Sequence, residues 1–219
     1  MEEMTVKEEA KRIPYGMMNF VAVREDNCYY VDKTRFIEKV EKANKYFFFI
    51  RPRRFGKSLT LSMLRHYYDI NQTDKFDRLY GDLYIGKHPT PNHNKYLIIY
   101  LNFAVVNADL GNYRSALDAH CRTEFTILCD RYSSLLPSNL KENLMKEDGA
   151  VKQLDILYKV ANEVGLKIYL FIDEYDHFTN HILSDAARLD EYKGETHGTG
   201  YLRTFFDTTK AGTDSSIER

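Results

Sequence analysis

The chain contains no tryptophan, and only three cysteines and five prolines in 219 residues. Cys28, Cys121 and Cys129 form no C-x-x-C pair and no disulfide framework, which excludes a thiol-based redox motif and a stapled secreted domain. They read instead as small apolar residues of a protein kept in a reducing compartment. Neither charge sign is in surplus, with 31 Lys and Arg against 32 Asp and Glu. The chain as a whole therefore has no electrostatic pull toward nucleic acid or anionic lipid, and any contact with DNA must be local or belong to another domain. No apolar run approaches the roughly 20 residues of a membrane span. The N-terminus, MEEMTVKEEAKRI, is charged, unlike the apolar stretch of a secretory signal. These absences point to a cytoplasmic protein with no membrane partner. No internal repeat or low-complexity tract is present.

What remains is the composition of an ordinary globular protein, 43% hydrophobic and 29% charged, of a size that suits one large α/β domain. Its most informative stretch is KYFFFIRPRRFGKSLTLSMLRHYY at 45–68. The unbroken apolar run at 46–50 predicts a strand buried on both faces of a parallel sheet. A basic, turn-rich loop follows, and a helical period starts at Lys57, with Leu59, Leu61, Met63, Leu64 and Tyr68 able to share one side. Strand, loop ending in Gly-Lys-Ser, helix is the context of a Walker A phosphate loop. The first turn of such a helix turns its N–H groups and positive dipole end toward an anion. Gly56 permits close backbone approach. Lys57 is placed to reach the β- and γ-phosphates, and the Ser58 hydroxyl to ligate Mg2+. Arg53, Arg54, Phe55 and Leu59 complete the loop that would wrap the phosphates. One letter departs from G-x-x-x-x-G-K-[ST]: Arg51 occupies the first glycine position. The competing reading is a basic turn between two core elements.

A second buried strand, 167–172, ends in Asp173 and Glu174. A Walker B strand has this form: Asp173 would hold Mg2+ through water, and Glu174 would polarise the water that attacks the γ-phosphate. An isolated acidic pair at a strand end is usually a solvated loop, but here each motif predicts the other. The joint reading requires Lys57 and Ser58 to face Asp173 across a gap about the size of a hydrated magnesium ion.

RPRRFGKS at 51–58, IDEYD at 172–176 and the upstream YVDKT at 30–34 together resemble the bacterial AAA-ATPase-like family, over nearly the whole chain from Ile13 onward. The resemblance implies an α/β fold of the P-loop NTPase type. This is a three-layer α/β/α arrangement with a parallel additional-strand sheet in the order 5-1-4-3-2, binding ATP and Mg2+. It implies that Arg51 is the family's usual residue at that loop position. It also implies that 30–34 lies beside the nucleotide, where it would contact base or sugar. The residues themselves read equally as a capped structural helix over 35–42, with Asp32 or Thr34 as the cap and Phe36, Ile37 and Val40 on its buried side. Family members usually continue into a nuclease-like domain, a possible partner through which nucleic acid would be engaged. A strand bearing a sensor residue follows residue 219 in that family and lies between the Walker A and Walker B strands. On this reading the chain is a fragment whose central strand is missing, and the fold is incomplete.

Elsewhere, 97–103 reads as a third buried strand. The stretch 112–136 reads as one long helix or two broken ones, 151–164 as a helix stopped by Gly165, and 201–210 as another. Between 72 and 95 the glycines and prolines leave no room for a long element. His177 and His181 have the spacing of a metal pair but lack a third ligand, so a polar helix face beside the site is the blander reading. His177 or Asn180 could instead stand near the γ-phosphate. The glycine-rich 194–200 follows no strand and reads as a surface loop. Arg203 and Arg219 are candidate arginine fingers by charge alone. The absence of N-K-x-D favours adenine over guanine. Three functions follow: an ATPase module with Lys57 and Glu174 as catalytic residues, driving or gating an associated domain and open to homo-oligomerisation; a nucleotide sensor that binds without useful turnover; or an inactive remnant.

Overall fold

The computed structural model describes residues 10–50, 52, 54–106, 113–175, 200–212 and 216–218. Two parallel strands form the frame: β1 (Tyr96–Asn102) and β2 (Lys167–Asp173), in a register that runs from Tyr96 opposite Lys167 to Asn102 opposite Asp173. Both were legible as unbroken apolar runs, and both are covered on two faces, so the protein is mixed α/β. Side chains alternate across a strand. Leu97, Ile99, Leu101 and Ile168 therefore enter one core, while Tyr96, Ile98, Tyr169 and Phe171 enter another.

The first core is closed by the later helices, α6 (Tyr113–Arg131), α8 (Ala150–Glu163) and α9 (Tyr201–Gly212), together with the short α7 (Leu140–Lys146). Leu117, Cys121, Phe125 and Leu128 recur at helical spacing on α6 and are buried, each apolar side chain contributing about 1.5–3 kcal/mol. The helix predicted over 112–136 ends earlier, and turns carry the chain on to Leu136. Gly149 is the N-cap of α8, and the helix's first N–H, that of Ala150, is satisfied by Asp118 Oδ1 of α6 at 2.7 Å. α9 lies against α8 closely enough that a Cβ on Gly212 would fall 2.5 Å from the Tyr158 ring.

The second core is rich in tyrosine. It is built from α1 (Phe20–Glu25), α2 (Ile37–Lys42), α3 (Lys57–Tyr68), α4 (Phe76–Tyr80) and α5 (Tyr84–Lys87). As expected, 72–95 holds only short elements. Tyr68, Tyr169 and Phe171 stack in series, with centroids 4.5 and 4.6 Å apart, and such pairs contribute about 0.5–1.5 kcal/mol each beyond burial. All three cysteines are free and buried. No helix among the described residues is long and apolar enough to cross a membrane.

One expectation is overturned. Residues 46–50 are not a buried strand: they pair with neither β1 nor β2, and Phe48 and Ile50 are 71% and 79% exposed. The reason lies at the sheet edges. On β1, the Ile98 N–H donates to Tyr132 Oη (3.0 Å) and the Asn102 N–H to His120 Nε2 (3.1 Å), so side chains blunt that edge. On β2, Ile168 exchanges hydrogen bonds with Ser216 and Glu218, both 2.8 Å, which claims the start of the other edge. With the β1 edge blunted and the β2 edge claimed at its start, a run with strand composition forms no ladder here. Its aromatics make local contacts instead, Phe47 with Phe49 and Phe48 with Tyr175.

Candidate functional site

Gly56 begins the site. It sits at φ 75°, ψ 28°, a left-handed conformation that costs any residue with a Cβ about 1–2 kcal/mol. Its carbonyl accepts both the backbone N–H and the hydroxyl of Thr60, each at 2.9 Å, which starts α3 directly after the turn. Lys57 and Ser58 are thus the first two residues of the helix, both half-buried, and Leu59 leans on the tyrosine-rich core beneath. Phe55 is 61% exposed, and its N–H reaches back to the Pro52 carbonyl at 3.3 Å. Arg54 is exposed and also left-handed, at φ 66°. Arg51 and Arg53 lie outside the described residues, as do His177, Asn180, His181, most of the glycine-rich loop and Arg219.

The second half of the site stands at the C-terminal end of β2. The two-residue alternation that sends Tyr169 and Phe171 toward α3 also sends Asp173 there, and this parity brings it to Lys57. Lys57 Nζ lies 3.4 Å from Asp173 Oδ1 and 3.2 Å from Glu174 Oε1. Asp173 is 2% exposed, so its charge must be compensated internally. Oδ1 accepts the Glu174 N–H at 2.9 Å and Oδ2 accepts the Tyr100 hydroxyl at 3.2 Å. Glu174 is held at φ 52°, a strained backbone for a residue that is not glycine. Arg203, offered as an arginine finger, pairs with Asp207 on its own helix at 3.6 Å.

Sequence reasoning missed Tyr100 and Arg65. The Arg65 guanidinium lies 3.7 Å over the Tyr100 ring, and burial draws its pKa below the usual arginine value. Burial, with the Asp173 charge behind it, pushes the Tyr100 hydroxyl up to about 12, so it stays a donor at neutral pH. A polar residue of β1 near the end opposite Asp173 was the available signal, hidden inside an apolar run. YVDKT at 30–34 resolves in part: Asp32 Oδ1 accepts the Thr34 N–H (2.8 Å) and hydroxyl (2.6 Å), and Oδ2 accepts the Tyr84 N–H at 2.8 Å. Burial works to raise the Asp32 pKa, but those hydrogen bonds outweigh it and hold the carboxyl below its ordinary value. Asp32 and Thr34 are structural anchors but not helix caps. A 3-10 turn (Thr34–Phe36) leads into α2, and the N-caps of the two, Lys33 and Phe36, make no side-chain capping bond. Phe36, expected on the buried side, is 43% exposed.

Chemically, the site is one ammonium between two carboxylates at the mouth of a helix N-terminus. Among the described residues no group of three or more His, Cys, Asp or Glu side chains forms a metal cage. A protein of Azotobacter chroococcum mcd 1, described as an uncharacterized protein in the vnfD 5' region, is 43% identical over 63 residues. That stretch makes up 28% of this chain and 12% of the relative's length. No solved structure matches the chain. The family model described as "Predicted AAA-ATPase" matches residues 14–219, and the chain belongs to that AAA-ATPase-like family.

Proposed function

We propose that the chain is a P-loop module that binds ATP with Mg2+ and hydrolyses it to drive or gate an associated domain. The observation that carries this reading is the meeting of Lys57 with Asp173 and Glu174, residues far apart in sequence that the phosphate-loop reading requires side by side. Ser58, next to Lys57 at the start of α3, and Asp173 would offer hard oxygens of the kind magnesium takes, leaving the other octahedral positions to water and phosphate. Bound there, the ion would draw charge from the phosphate oxygens. Lys57 would leave its carboxylate partners for the phosphates, and the α3 N-terminus would turn its N–H groups on them. Asp173, kept in orientation by Tyr100, would hold the metal side. Glu174, released from Lys57, would take a proton from the attacking water. We assign the domain to the three-layer P-loop type, on the strength of helices that cover both faces of a parallel sheet and a phosphate loop at the start of α3.

Titration of the chain with a fluorescent ATP analogue and Mg2+ tests this reading. Lys57→Ala is expected to lower affinity at least about 100-fold, and Glu174→Gln to retain binding while losing turnover. An unmodified chain that ignores millimolar MgATP would overturn the assignment. The alternative is a sensor that binds without efficient turnover, and the engagement of Glu174 by Lys57 favours it. Single-turnover hydrolysis separates the two, since tight binding with no product over hours selects the sensor.

A further inference from the structure

Among the described residues, the side chain that comes close to the Gly56 turn is that of Lys33, through its ammonium. A Cβ placed on Gly56 would lie 4.0 Å from Lys33 Nζ, and among the described residues no other atom beyond the flanking ones comes as near. Lys33 is half-buried and has no carboxylate within ion-pairing distance among the described residues. Lys57 is different, because Asp173 and Glu174 already neutralise it. A lysine stem can lie along the protein surface while its ammonium stays free to meet an anion.

The local architecture places this one side chain. On one side of Lys33, Asp32 is tied to the Tyr84 N–H and to Thr34; on the other, Thr34 is fully buried, and its hydroxyl oxygen accepts the Ile85 N–H at 3.1 Å. The backbone is therefore pinned at 32 and 34 to α5, and the residue between them is directed at the loop.

We propose that Lys33 is a second phosphate-binding lysine, reaching across Gly56 to the polyphosphate that Lys57 contacts from the helix side. This inference rests on the nucleotide-binding reading above and deepens it. On the helix side alone, Lys57 with Asp173 and Glu174 sums to one net negative charge, and Lys33 adds a cation to those that Arg54 and the rest of the basic loop supply. A lysine supplied from outside the helix offsets that charge before Lys57 has left its carboxylates.

The test compares the unmodified chain with Lys33→Gln, Lys33→Arg and Lys57→Ala, using MgATP, adenosine and inorganic tripolyphosphate as probes, with melting temperature as the fold control. Lys33→Gln is expected to weaken MgATP and tripolyphosphate about ten-fold or more, to leave adenosine unchanged and to flatten the salt dependence. Lys33→Arg is expected to restore most of the loss. If Lys33→Gln binds both polyphosphates like the unmodified chain while Lys57→Ala does not, Lys33 is no phosphate ligand and the nucleotide-binding reading stands. Equal losses for adenosine and polyphosphate, or no rescue by arginine together with a lowered melting temperature, would assign Lys33 a structural role and overturn the proposal. If the unmodified chain binds neither MgATP nor tripolyphosphate, both readings fall together.

Discussion

Asp173 is a carboxylate almost out of reach of water, yet it has a donor or cation on each oxygen: Lys57 and the Glu174 N–H on one, the Tyr100 hydroxyl on the other. Tyr100 is itself braced by the Arg65 guanidinium. This chain of contacts sets the direction in which Asp173 presents its oxygens. Tyr100→Phe removes one donor without opening a large cavity. On the proposed function, with Asp173 holding Mg2+, the Mg2+ concentration needed for half-maximal ATP binding is expected to rise about ten-fold, while metal-free nucleotide binding stays unchanged. A metal titration at fixed nucleotide reads this directly, and an unchanged midpoint would leave Tyr100 a packing residue only.

At the scale of elements, the edges of the short sheet decide what packs where. Tyr132 accepts the Ile98 N–H and donates to Asp69 Oδ1 at 2.9 Å, so one buried hydroxyl joins α6, β1 and the turn after α3. Tyr132→Phe leaves a buried N–H and a buried carboxylate each short of a partner. Asp69 Oδ1 keeps the Asn71 N–H, so the orphaned group is the Ile98 N–H, and the expected loss is about 1–3 kcal/mol of unfolding free energy, measured by urea denaturation. A loss below ~0.5 kcal/mol would mean that water replaces the hydroxyl. Gly212→Ala tests the α8–α9 contact: a methyl group driven into the Tyr158 ring is expected to cost about 1–3 kcal/mol.

For the whole molecule, the second core explains the abundance of tyrosine. Tyr67, Tyr68 and Tyr80 are buried around α3 and stack on one another or on β2, and their hydroxyls reach Thr90, Glu41 and the Met63 carbonyl. Aromatic bodies fill the space between α3 and the sheet, while the hydroxyls tie the short helices of 70–95 to it. Burial raises the pKa of Tyr68, Tyr80 and Tyr132 above the ordinary value of 10.0. A group whose pKa is raised by folding contributes stability that is whole below its unfolded pKa and is lost as pH climbs toward the folded one. Stability should therefore hold to about pH 10 and decline above it. Absorbance of tyrosinate at 295 nm is expected to show the buried group titrating late, together with loss of the fold; a single titration near pH 10 in the still-folded protein would contradict this core.

What lay open in the sequence was whatever a few consecutive residues encode. The glycine before Lys57 and the helical period after it specify a tight turn and a helix start. The apolar runs of β1 and β2 specify strands covered on both faces, and the acidic pair at the end of β2 marks where the chain leaves the sheet. Two-residue alternation even fixed which face Asp173 shares with Phe171. What only the tertiary structure decided were matters of partnership. Residues 46–50 have the composition of a strand but pair with neither β1 nor β2, because strand pairing is decided by where parts of the chain far away in sequence come to lie. Lys33, read as part of a nucleotide-side or capping segment, became a neighbour of Gly56 because Asp32 and Thr34 are pinned to α5. Tyr100 met Asp173 through the register of two strands. Local backbone preference is written within a turn or two of chain, whereas charge pairing and edge occupancy depend on distances that exist only after packing.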